Sequence, residues 1–140
     1  MKIKLEPKIF FWITAVAATS FGLGFIFFPK FLYELIGFIS DEDGYLMVRF
    51  FGFAVFGTGI LTFWARNSEL SQTREAIILM LTTLYTLMTV THLLVMFIRG
   101  TPLLANVWLW LIVAMHSAFI GFYGYFLIRD WKAVRALKTV

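Results

Sequence analysis

Four apolar stretches, 9–28, 45–65, 76–98 and 104–128, take up most of a chain of 140 residues. A bilayer's hydrocarbon core is about 30 Å thick, and a helix rising about 1.5 Å per residue crosses it in roughly 20 residues, so each stretch is long enough to span. In hydrocarbon every backbone N–H and C=O must be bonded within its own segment, which predicts an all-α, polytopic membrane protein. The connections at 66–75 and 100–103 are short and make consecutive helices antiparallel neighbours. The expectation is one integral membrane domain over 1–140, an antiparallel four-transmembrane-helix bundle. At 61% hydrophobic and 14% charged residues, the composition leaves no room for a second, soluble domain. The first stretch reads as a permanent helix, because it exceeds a signal-peptide core and ends Phe27-Phe28-Pro29-Lys30.

Lysine and arginine set the orientation. Lys2, Lys4, Lys8, Arg66, Arg74, Arg129, Lys132, Arg135 and Lys138 fall on one side, nine cations against Lys30 and Arg99 on the other. Both termini are therefore expected in the cytoplasm, with 129–140 a basic tail facing anionic headgroups. Trp12, Trp64 and Trp131 near the inner interface, and Tyr33, Tyr45, Trp108 and Trp110 near the outer one, agree with this. The net charge of +4 then needs no nucleic acid to explain it.

The first connection, 29–44, is longer than the others. Phe31, Leu32, Leu35 and Ile36 make one apolar stripe, Lys30 and Glu34 are spaced to pair, and Gly37 is a plausible terminator. These features predict a short helix lying in the outer interface. Ser40 with Asp43 fits a capping box for the second long helix, a better reading than a cation site because the ligand spacing of a calcium loop is missing. Small residues recur at fourfold spacing: Thr14, Ala18 and Gly22; Ala54 and Thr58; Ala114 and Ala118; Ser117 and Gly121. With Gly52 and Gly57 they are the candidate helix-packing positions, in this chain or against another.

Ionisable groups inside a span are functional candidates by default. Arg49 lies four residues into the second stretch, close enough to the outer edge to snorkel, to pair with Glu34 or the 41–43 acids, or to hold an anionic or carbonyl-bearing head. Tyr85, Thr89, His92 and Met96 share one helical face, extended inward by Thr82 and Thr86. His116 sits mid-way along the fourth stretch, with Tyr123 on its face. Interhelical hydrogen bonding is the plain reading of this face and a ligand pocket the sharper one, with Arg49, Tyr85, Thr89, His92 and His116 as binding candidates. Two histidines on neighbouring helices raise a bis-histidine haem. Depth argues against it: His92 lies six residues, about 9 Å, inside the outer end of its stretch, and His116 twelve residues, about 18 Å. A simple metal site lacks an acid at that depth.

The chain has no cysteine, which excludes disulfides, thiolate metal sites and thiol catalysis. It has no phosphate loop or hydrolase elbow, and the spans contain no Asp or Glu. No catalytic set emerges.

Phe28-Pro29-Lys30 with Leu35-Ile36-Gly37, then Arg49-Phe50-Phe51-Gly52, Gly57-Thr58-Gly59 and the closing Trp64-Ala65-Arg66 resemble the DoxX-like proteins and related small prokaryotic four-helix membrane proteins. The resemblance implies a quinone-facing or partner-facing role and carries over Arg49 and the glycines as a turn and packing set. Without cysteine no thiol-based redox role carries over.

Three functions follow in order. The first is a non-catalytic accessory subunit of a larger membrane complex, docking by its small-residue grooves on another membrane protein or a second copy. The second is a binder of a lipid-like molecule (quinone, isoprenoid or sterol) in the outer half of the bundle. An enzyme using His92 or His116 as acid–base ranks last, because no second catalytic group accompanies either.

Overall fold

The computed structural model describes residues 6–98 and 107–138. Lys2, Lys4, Arg99, the 100–103 connection and the first residues of the fourth predicted stretch lie outside them. The described chain is all-α: α1 Pro7–Phe27, α2 Pro29–Leu35, α3 Glu42–Ala65, α4 Gln72–Ile98 and α5 Val107–Lys138. Four of these helices, all but α2, are long and apolar enough to cross a membrane. The segment predicted as a basic tail continues α5 as helix to Lys138. Two compact units divide the chain, residues 1–67 and 68–140.

In the first unit α1 opens on Pro7, whose missing N–H falls where a helix has no acceptor to offer. It closes at Phe28, whose N–H reaches Gly24 O at 2.7 Å, and Pro29 begins α2. Gly37 terminates α2 as expected. Its φ of 87° is the left-handed conformation that suits a residue without Cβ. Phe38 N–H bonds Tyr33 O at 3.0 Å and Gly37 N–H bonds Glu34 O at 2.9 Å, the two bonds of a Schellman motif.

The cap of α3 differs from the sequence reading by one residue. Asp41, not Ser40, is the N-cap, and its carboxylate accepts from Gly44 N–H at 2.9 Å. A carboxylate both fills the orphan donor and opposes the helix's positive end, which the serine hydroxyl does only in part. Glu34 accepts from the Tyr45 hydroxyl at 3.0 Å, and Tyr33 meets the Tyr45 ring edge-on at 6.3 Å, so α2 is tied to the first turn of α3.

α1 and α3 pack antiparallel along their small residues. A methyl group added at Gly22 would stand 2.5 Å from Phe56 N, and one at Gly59 would stand 2.7 Å from Thr19 N, distances that no real Cβ tolerates. Gly52 sits over Gly22 O and the Phe25 Cβ in the same way. Ala15, Ala18 and Thr14 are buried along this line. Backbones this close gain dispersion and Cα–H···O contacts that lipid cannot replace. At the other end the Arg66 guanidinium lies over the Phe63 ring at 3.7 Å and the Trp12 ring at 5.2 Å.

In the second unit α4 and α5 form an antiparallel hairpin. Ile78, Leu81, Tyr85 and Thr89 face Leu109, Val113, His116, Phe119, Tyr123 and Phe126, all buried at spacings of three and four. Ser71 accepts from Arg74 N–H at 3.3 Å at the start of α4.

Candidate polar seam between α4 and α5

The hairpin's apolar core is interrupted at two levels. Near the end of the hairpin where α4 begins, Asp130 is 2% exposed. It accepts from Arg74 Nε at 3.1 Å through one oxygen and from Arg129 Nε at 2.8 Å through the other. Arg74 also donates to Ser68 O at 3.1 Å, which fastens the chain entering α4 to the far end of α5. Sequence reading missed this brace because Asp130 lies two residues past the fourth predicted stretch. The available signal was its isolation: it is the only acid after Glu75. Glu75 itself holds one buried carboxylate oxygen without a partner among the described residues.

The second interruption joins four of the five predicted ligand residues. Tyr85 stacks on Phe119 at 4.9 Å and lies near-parallel to Tyr123 at 6.2 Å, with His116 tilted against it at 5.3 Å. His92 meets His116 edge-on, with ring centroids 5.6 Å apart. The two histidines therefore do not differ in depth as their positions in the predicted stretches implied. Tyr85 thus lies opposite Tyr123, and His92 opposite His116, across the hairpin. Counted from Ile98 and Val107, the histidines are six and nine residues in, about 9 and 14 Å, a difference of less than one helical turn. The depth argument against haem falls with this. Among the described residues no cluster of three or more His, Asp or Glu could hold a metal ion.

The threonines of α4 divide into two kinds. Thr82 donates to Ile78 O and Thr86 to Thr82 O, each at 2.8 Å, the ordinary way for a hydroxyl to be satisfied inside a membrane helix. Thr89, 9% exposed, does not: its Oγ1 is buried and has no partner among the described residues. His116, 4% exposed, likewise leaves Nδ1 buried without a partner. His92 Nδ1 lies 2.6 Å from Met88 O. A carbonyl only accepts, so this contact places the proton on Nδ1 and leaves Nε2 of the neutral ring as an acceptor. His92 is half-buried at the edge of the seam, whereas Thr89 and His116 lie inside it.

The remaining predicted residues lie elsewhere. Arg49 is exposed on α3 of the first unit, and Glu34, a partner expected for it, is instead bonded to Tyr45. The seam is built from α4 and α5 without it. Ala18 is buried on α1, and Gly22 and Gly52 sit where α1 and α3 approach each other. Ala114, Ala118 and Gly121 do not pack inside their own unit: they share an exposed face of α5 with Ser117, and a methyl group added at Gly121 would meet nothing within 4 Å. Gly57 is similarly open on α3. Compared with known families, curated proteins and solved structures, the chain matches none.

Proposed function

We propose that this multi-pass membrane protein binds a lipid-like molecule of the quinone, isoprenoid or sterol kind, with its polar head seated between α4 and α5. The support is Thr89 Oγ1 and His116 Nδ1, buried and without partners among the described residues, in a stretch of the hairpin that holds no charged residue. Each such atom costs about 1–3 kcal/mol unless something bonds it. A ligand head entering past the half-buried His92 would bond both, and its apolar body would remain in the bilayer. The test is native mass spectrometry of the protein extracted gently from its own membranes. A retained small-molecule mass that disappears in the His116→Phe and Thr89→Val variants is the expected result; a chain that carries no such mass before washing removes the reading.

A second reading, an accessory subunit of a larger membrane complex, is favoured by the bare face of Ala114, Ser117, Ala118 and Gly121 on α5. The same spacing between α1 and α3 is filled by helix-on-helix contact. In that reading the same spectra contain a further polypeptide or a second copy. The quinone-linked or partner-facing role implied by the DoxX-like resemblance fits either reading. The distribution of cations supports a cytoplasmic placement of both termini.

A further inference from the structure

We infer that the head group seated at the α4–α5 seam is a neutral alcohol, so that the ligand class is a long-chain or ring lipid alcohol rather than a phospholipid, a fatty acid or a ketone. This rests on the lipid-binding reading above and narrows it. The first argument is charge. Residues 76–98 and 107–128 contain no Lys, Arg, Asp or Glu. The nearest charged residues of the described helices, Glu75 and Arg129, stand fourteen positions from Thr89 and thirteen from His116, about 20 Å along their helices. A phosphate, carboxylate or ammonium head held there would find no counter-charge among the described residues of α4 and α5 within that distance, in a medium where an unpaired charge is very costly.

The second argument is the balance of donors and acceptors. In the tautomer that donates from Nδ1 to Met88 O, His92 has its acceptor at Nε2. The head must therefore donate. Thr89 Oγ1 and His116 Nδ1 are the buried unpartnered atoms, and a hydroxyl can donate to one group while it accepts from another. A ketone, ester or ether only accepts and leaves the His92 lone pair unmet. With its proton donated to His92 Nε2, the hydroxyl oxygen can accept from the Thr89 hydroxyl or from a protonated His116 Nδ1.

The test uses the full chain in nanodiscs and a farnesol analogue bearing a diazirine in its tail. Unlabelled farnesol, farnesyl methyl ether, farnesyl phosphate and farnesoic acid compete for the photolabel, so that one tail carries four heads. Farnesol should compete best, with the ether about tenfold weaker, the loss of roughly one hydrogen bond. The phosphate and the acid should be weaker still. His92→Phe should erase the difference between alcohol and ether, while Thr89→Val, which leaves the His92 acceptor in place, should keep it; ether labelling retained in His92→Phe separates loss of the acceptor from a general loss of fold. An ether that competes as well as the alcohol, or a phosphate or acid that competes better, overturns the alcohol assignment and leaves lipid binding standing. A label on α4 and α5 that none of the four displaces overturns both.

Discussion

At the scale of single residues the seam and the brace make opposite demands on stability. Thr89 keeps a hydroxyl buried with nothing to bond, whereas the neighbouring Thr82 and Thr86 bond their own helix. Replacing a threonine of the first kind by the near-isosteric valine removes an unmet group without opening a cavity. Thr89→Val is therefore expected to raise the melting temperature of delipidated protein, by the equivalent of about 1 kcal/mol or more, while weakening lipid retention. Differential scanning fluorimetry in a delipidating detergent checks the first half, and a lowered melting temperature contradicts it. Asp130 stands in the opposite position, because both its oxygens are engaged by arginines. Asp130→Asn leaves two guanidinium groups against a neutral amide and should cost on the order of 3 kcal/mol. Adding Arg74→Met to it should recover part of that loss, since the penalty comes from the stranded charge. A double variant no more stable than the single one would show that Arg74 is not the group stranded.

The same small-residue spacing has two fates at the scale of helices, and substitution can tell them apart. Between α1 and α3 the glycines are filled against backbone, so Gly22→Leu must separate the helices and should cost several kcal/mol. On α5 nothing lies within 4 Å of a methyl group at Gly121, so Gly121→Leu should leave the melting temperature within about 0.5 kcal/mol-equivalent of the parent. If a partner helix docks there, the same change should release it in the native mass spectrum. Equal destabilisation by the two leucines would mean that the α5 face is filled in the folded chain.

The helices themselves were legible in the sequence, since length and apolarity decide what a bilayer accepts, and Gly37 was legible as a terminator because its φ suits glycine. The shift of the α3 cap from Ser40 to Asp41 was not, because a serine and an aspartate side by side both satisfy the cap rule. The meeting of His92 with His116 was hidden for another reason: hydropathy marks the extent of a span but not which residues lie opposite each other across a hairpin. The brace stayed hidden because Arg74 and Asp130 are 56 positions apart and only the hairpin brings them together.

Taken as a whole, the chain divides its chemistry between its two units. The first, residues 1–67, is closed by backbone-close packing and capped turns, while the buried side-chain atoms without partners among the described residues, on Glu75, Thr89 and His116, all belong to the second. Unsatisfied polar atoms inside a membrane are costly, and their concentration in one hairpin is the observation on which the proposed lipid site rests. The orientation of the chain decides which leaflet supplies that ligand. With nine cations against two, the connection holding α2 should face outward and the connection between α3 and α4 should face the cytoplasm. The absence of cysteine makes this directly measurable, because any introduced thiol is unique. Asp43 in the first turn of α3 and Glu69 between α3 and α4 are both exposed. In intact cells Asp43→Cys should react with a membrane-impermeant maleimide, and Glu69→Cys should react only after lysis. His92 and His116 are closer to Ile98 and Val107 than to the brace, so with four crossings this labelling pattern would have the proposed ligand drawn from the outer leaflet. The reverse labelling would turn the whole chain over and place the seam within reach of the cytoplasmic leaflet.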